Sequence, residues 1–294
     1  MANVFLEKLA TGGTLVADGA TGTNLQKAGL KPGMPPEAWV MEQPEKILAL
    51  EKAFVAAGSD VILTCTFGGT RLRLKDTPYG LRVAEVNHRA VELARQAAVS
   101  GLRQVLVAGS MGPVGGLIKP YGPLTVDEVT AAYAEQADAL TEAGVDFLVI
   151  ETQFSLEEAK AALAAARQAG DLPVVVSFSY DRGTRTMMGV TSTQVVQIFR
   201  PLGVAAIGAN CGKTLENMET LVKEYAAAAP GFPLWVKPNA GLPVMDADNN
   251  AVFIITPEQM GEFARKFVAA GARVVGGCCG STPEHVAAIA KAVR

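Results

Sequence analysis

Eight times along a chain of 294 residues, a short apolar run ending in small or polar residues is followed by a longer segment of helical periodicity. This alternation limits the fold more than any other feature of the sequence. The apolar runs fall at 14–17, 60–63, 104–108, 147–150, 173–179, 204–208, 234–237 and 272–275. They are near-continuous rather than alternating, as expected of strands buried on both faces of a parallel sheet. Helices are expected near 44–57, 82–99, 125–143, 155–169, 193–202, 215–228, from 256–258 onward, and 283–293, several opened by Thr, Ser or Pro residues suited to a helix start. The Pro- and Gly-rich stretch 31–36 reads as a loop. Eight such pairs in under 300 residues suit a closed (β/α)8 TIM barrel, an α/β fold in a single domain over 1–294. An open doubly wound sheet is the alternative. Against a dinucleotide-binding version of it, Asp18-Gly19-Ala20-Thr21-Gly22 does not follow G-x-G-x-x-G.

The chain is 49% hydrophobic and 19% charged with a net charge of −3, enough apolar content for a substantial core and no basic excess to favour nucleic acid or an anionic membrane. No apolar run approaches the roughly 18 residues of a membrane helix, and the first residues lack a basic segment leading into a long apolar one. A cytoplasmic location is expected. Four cysteines are too few for a secreted disulfide framework in a chain this long, so metal ligation or catalysis is the better reading of reduced thiols.

In a barrel the C-terminal ends of all strands converge on one face, however far apart they lie in sequence. Cys211 follows the sixth run, and Cys278-Cys279 follow the eighth within Gly276-Gly277-Cys278-Cys279-Gly280. Adjacent residues of a regular strand point to opposite faces, so two neighbouring thiols meet at one point only where glycines let the backbone turn. Three thiolates with one open position would make a catalytic zinc site, since a purely structural one normally uses four protein ligands. From residue types alone a second reading stays open, in which these cysteines are small buried hydrophobes. Cys65 has no partner ligand and is read that way. His88 and His285 fall in helices, away from the strand ends, and are not expected as ligands. Asn239, at the end of the seventh run, is better placed as a weak neutral ligand that substrate displaces.

Gly276 through His285, together with Gly208-Ala209-Asn210-Cys211, resembles the signature of the homocysteine S-methyltransferase family, zinc-thiolate barrels that include betaine-homocysteine methyltransferase and the homocysteine module of cobalamin-dependent methionine synthase. Similar matches run through Asp18 to Thr23, Gly109 to Pro113, Glu151-Thr152 and Pro238-Asn239-Ala240-Gly241. The resemblance implies Cys211, Cys278 and Cys279 as ligands of Zn2+, homocysteine sulfur as the incoming fourth, and Asn239 as occupant of that position in the substrate-free state. It also implies Glu151 as partner of the substrate ammonium, and the turns at Asp18 and Ser110 as the pocket for its amino-acid end. Asp18 is equally an Asx residue shaping its turn, and Ser110 can act through its backbone alone. Thr64-Cys65-Thr66-Phe67 departs from the family pattern, which has an acid and an amide there.

The activity so implied is methylation of homocysteine sulfur to give methionine. With no room in 294 residues for a corrinoid domain, the expected donor is methylcobalamin on a separate corrinoid protein. S-methylmethionine or betaine is the alternative donor. A non-catalytic zinc-thiolate or redox-sensing protein is the alternative from another class.

Overall fold

The computed structural model of the chain describes residues 3–31, 33–245 and 251–294. Its strands are β1 (Leu15–Val16), β2 (Val61–Leu63), β3 (Leu106–Met111), β4 (Phe147–Gln153), β5 (Val174–Ser179), β6 (Ala206–Cys211), β7 (Leu234–Pro238), β8 (Pro243–Met245), β9 (Ala251–Phe253) and β10 (Ala272–Val275). Eight of them pair in the order β1-β10-β7-β6-β5-β4-β3-β2, and every pair in that sheet is parallel. A further parallel bridge between Ala17 and Val61 joins its two ends. Asp60 fastens this seam: its N–H donates to Val16 O at 2.7 Å, and its carboxylate accepts from Val16 N at 2.9 Å. The fold is the expected (β/α)8 barrel. Strands β8 and β9 stand apart from it as an antiparallel hairpin.

The helices are α1 (Val4–Ala10), α2 (Thr21–Lys27), α3 (Pro36–Glu42), α4 (Pro44–Ala57), α5 (Arg71–Leu74), α6 (Val83–Ala98), α7 (Val126–Glu142), α8 (Leu156–Gln168), α9 (Ser192–Phe199), α10 (Leu215–Ala228), α11 (Pro257–Ala269) and α12 (Pro283–Val293). Capping boxes at Thr125, Thr191 and Thr256 start three of them, because each hydroxyl satisfies an N–H that the first helical turn leaves free. α9 stops at Phe199 rather than near 202; Arg200 is still helical in its dihedrals, but Pro201 has no N–H to carry the helical ladder further. The stretch expected as a loop over 31–36 gives way to α3 at Pro36; position 32 lies outside the described residues. β6 starts later than expected and runs on to Cys211, because Asn210 and Cys211 still pair with Lys237 and Pro238 of β7. Among the described residues no helix is long and apolar enough to cross a membrane.

Alternate residues of the strands fill the barrel with Leu15, Ala17, Val61, Leu106, Val149 and Val274, while the opposite faces pack on the helices. α1 plugs the end opposite the strand C-termini. Its Phe5 stacks on Phe147 with ring centroids 3.7 Å apart, and Phe147 meets Trp235 edge to face at 6.2 Å. Each such ring contributes roughly 1.5–3 kcal/mol by burial, so packed side chains close this end of the barrel. Chemistry is left to the other end.

Glu51 of α4 is buried, and neither of its carboxyl oxygens has a hydrogen-bond partner among the described residues. Burial first, and the charge of Asp18 second, push its pKa well above the ordinary value of 4.5. Above that value the unfolded chain releases a proton that the folded chain keeps, so this group destabilises the fold increasingly as pH rises. Glu51→Met keeps similar volume without the polar atoms. It is expected to raise stability at pH 8 by roughly 1–3 kcal/mol and by less at pH 5, read from urea unfolding at the two pH values. Equal loss of stability at both would mean that Glu51 is partnered in solution.

Candidate metal centre and substrate pocket

The three cysteines come together because two strand ends and one turn lock against each other. The last residue of β6, Cys211, adopts a left-handed conformation with φ of +58°, unusual for a residue with a side chain. Its carbonyl accepts from Asn239 N at 3.2 Å. Beyond β10, Cys278 N donates to Pro238 O at 2.7 Å, and Cys279 O accepts from Ala240 N at 2.9 Å. Gly280, with φ of +80°, turns the chain, and Ser281 then closes the turn by donating through both N–H and Oγ to Cys278 O. At Gly277 a Cβ would lie 2.3 Å from Ser281 Oγ, so only glycine admits this turn. Backbone strain at Cys211 is held by its surroundings, as is common where a side chain must be aimed.

The Sγ atoms of Cys211, Cys278 and Cys279 lie within 4.8 Å of one another, with Cys211 and Cys278 3.0 Å apart. By themselves three sulfurs this close do not all ionise. Hydrogen bonds from Cys211 and Cys278 hold Cys279 low, at about 3. Those to Cys278 and Cys279 push Cys211 well up, and Cys278, lowered by Cys211 but raised more by Cys279 and by burial, reaches about 12. A dication removes this conflict by stabilising all three thiolates. Beside them, Asn239 Nδ2 donates to Gly212 O at 2.8 Å, whereas its buried Oδ1 has no partner among the described residues. A soft trio of converging sulfurs fits Zn2+, which favours sulfur ligands and tetrahedral coordination, and Asn239, bonded through its N–H to Cys211 O, is the adjoining residue with an amide oxygen unused among the described residues.

The thiols line a cavity of about 980 Å³ at the barrel mouth, together with Ser110, Glu151, Thr152 and Lys237. Glu151 is buried and accepts from Ser110 Oγ at 2.5 Å. Burial raises its pKa to about 7 against the lowering pull of Lys237. The carboxyl therefore changes charge near neutrality, and a cationic ligand would favour its ionised form. Asp18 is fully engaged: Oδ2 accepts from Leu63 N at 2.7 Å, and Oδ1 accepts from Lys237 Nζ at 2.5 Å. The pair is almost wholly out of solvent, with side chains 3% and 4% exposed. Burial alone would lower the pKa of Lys237, but Asp18 and Glu151 more than offset it and the net shift is upward. The ammonium is thus charged at neutral pH.

Of the residues singled out in the sequence, Ser110, Glu151 and the three cysteines share this cavity, Asn239 adjoins Cys211, and Asp18 lies behind Lys237. Cys65 is buried among Leu25, Trp39, Val40 and Ile47, and burial raises its pKa well above the ordinary thiol value. His88 is on the α6 surface 3.6 Å from Glu142, and His285 serves the start of α12, accepting from Thr282 N and bonding Ile255 O. Neither histidine is in the sulfur cluster.

Sequence reasoning missed two members. Lys237 sits at the end of an apolar strand, where a charge is its own signal. Asn210 is fully buried: its Nδ2 donates to Thr152 Oγ1 at 2.6 Å and points towards Cys211 Sγ at 3.6 Å, while Oδ1 accepts from Thr152 N and Ser177 Oγ. It clamps Thr152, which is also left-handed at φ of +59°, against the cysteine cluster.

Fold and site together define a barrel with a cluster of three free thiols at its C-terminal mouth. A family model described as homocysteine S-methyltransferase matches residues 15–293, and the chain belongs to the homocysteine S-methyltransferase family. Methionine synthase of Mycobacterium leprae is 32% identical over 95% of this chain, which spans only 24% of that protein's length. Among solved structures, the metallated form of the homocysteine methyltransferase MmuM from Escherichia coli is similar with a TM-score of 0.79 and 26% identity, covering 95% of this chain and 96% of that one. The carboxyl transferase domain of Rhizobium etli pyruvate carboxylase, at 13% identity and a TM-score of 0.54, shares the fold alone.

Proposed function

We propose that this chain, acting as one domain, is a zinc-dependent methyltransferase that takes homocysteine as thiolate and methylates its sulfur to give methionine. The observation that carries the reading is the cluster of three free thiols at the barrel mouth. Cys211, Cys278 and Cys279 would hold Zn2+, and Asn239 would complete the set until substrate displaces it. Zinc bound there supplies the positive charge that lowers a thiol pKa and lets the substrate sulfur bind as thiolate near neutral pH.

The protein's own residues then orient and select. Glu151, held by Ser110, takes the substrate ammonium, and Asp18 shapes the pocket from behind through Leu63 N and Lys237. Asn210 and Thr152 keep Cys211 aimed at the substrate sulfur. In-line attack then forms the new S–CH3 bond while the donor leaves with the electron pair of its bond to the methyl group.

For the donor we favour methylcobalamin carried on a separate corrinoid protein, since the Mycobacterium leprae relative is a methionine synthase of which this chain matches about a quarter. A second reading has a small donor such as S-methylmethionine or betaine, and the match to 96% of MmuM favours it. Purified protein is expected to methylate homocysteine from methylcobalamin, followed as methionine formed. Turnover with S-methylmethionine or betaine alone would replace the donor assignment, and no thiol methylated by any donor would favour a non-catalytic zinc-thiolate protein.

A further inference from the structure

Among the described residues Lys237 is the only lysine lining the cavity that holds the thiols, and the proposed reaction gives it no contact with substrate. Its ammonium offers three N–H donors, of which one is used among the described residues, towards Asp18 Oδ1. Both oxygens of Asp18 are engaged, one by that bond and one by Leu63 N. Lys237 is 3% exposed, so the other donors do not face bulk water. A buried cation with unused donors on a cavity wall is half of a recognition site, because an anionic acceptor there would satisfy both its charge and its hydrogen bonds.

The other half is also present. Glu151 lines the same cavity, accepts from Ser110 Oγ, and has further acceptor capacity. β4 ends with Glu151-Thr152-Gln153, and Lys237 and Cys278 belong to neighbouring elements, since Cys278 N donates to Pro238 O. Glu151 on β4 and Lys237 on β7, separated in the sheet by β5 and β6, thus reach one cavity next to the sulfur cluster, close enough that the Lys237 charge pulls on the Glu151 carboxyl. That is the charge pattern complementary to the end of an α-amino acid whose side-chain thiol points at the cysteines.

We propose that Lys237 is a specificity-determining residue that binds the α-carboxylate of the thiol substrate while Glu151 takes its ammonium. The inference rests on a thiol amino acid being the substrate. It separates Lys237 from a plain counter-ion of Asp18: a counter-ion would support every thiol alike, whereas a carboxylate ligand supports only those that carry one.

The test compares homocysteine with 3-aminopropane-1-thiol, the same molecule without its carboxylate, in the wild type, in Lys237→Met, and in Asp18→Asn/Lys237→Met. The double variant removes both charges and carries the test should the single one fail to fold. Calorimetric binding of methionine and of 3-(methylthio)propylamine repeats the comparison without a methyl donor.

The wild type is expected to prefer the carboxylate-bearing member of each pair by about 10–100-fold, the size of one or two hydrogen bonds to a charged group. In the variants the preference should fall to near unity, through a higher KM for homocysteine and an unchanged KM for the aminothiol. Equal losses on both members, or an unchanged preference, would overturn the role of Lys237. A wild type that binds and methylates neither thiol would overturn the substrate reading itself.

Discussion

Serine at position 211 or 279 is expected to leave a folded protein that no longer retains zinc. Wild-type protein should carry one zinc per chain, because three thiolates provide nearly all the charge and donor strength and Asn239 Oδ1 adds only a neutral oxygen. Even removal of an outer partner of a metal ligand lowers affinity roughly 10–100-fold, and loss of a ligand should exceed that. Zinc content after gel filtration, with circular dichroism as the check on folding, makes the measurement. Cys65→Ser is the control, since Cys65, though it lines the same cavity, packs among Leu25, Trp39 and Ile47 and is not one of the three clustered sulfurs. Full zinc in both the 211 and 279 variants would remove the metal centre from the account, and methyl transfer with it.

The second large effect concerns stability. Asp18→Ala should destabilise the fold by about 3–5 kcal/mol, because it strips a buried ammonium of its only hydrogen-bonded partner among the described residues. Against a total stability of about 5–15 kcal/mol this is a major fraction, corresponding to a fall in Tm of roughly 10 °C. Asp18→Ala/Lys237→Met should recover most of the loss, since removing both charges also removes the desolvation that their pairing offsets. The expected result is therefore a strongly non-additive double-mutant cycle in thermal or denaturant unfolding. Additive losses would show that the two side chains do not depend on each other in solution.

How far the site was legible varied residue by residue. The eight strand-helix pairs were visible because a strand covered on both faces must be apolar throughout and an amphipathic helix must repeat every 3.6 residues. The cysteines stood out as rare residues at ends of such runs. By contrast, α1 carries only one turn of pattern on each side, and its role depends on Phe5 reaching Phe147, which is remote in sequence. The β8–β9 hairpin was hidden inside the connection before α11, and α3 inside a stretch that opens with proline and glycine. Asn210 and Lys237 belong to strands, where residue type alone does not tell an inward polar group from an outward one.

What the sequence determined by itself was the barrel, through the period and number of its apolar segments, and the candidate ligands, through rare chemistry placed where those segments end. Only the tertiary structure decided how that chemistry is used. Barrel closure brings β6, β7 and β10 side by side, so that three sulfurs meet within 4.8 Å and Asn239 is left with an unused oxygen. It also sets Lys237 between Asp18 behind the wall and the cavity in front. Such juxtapositions depend on register between strands and on left-handed residues such as Cys211 and Thr152, and these are set by contacts across the whole barrel rather than by any local run of residues.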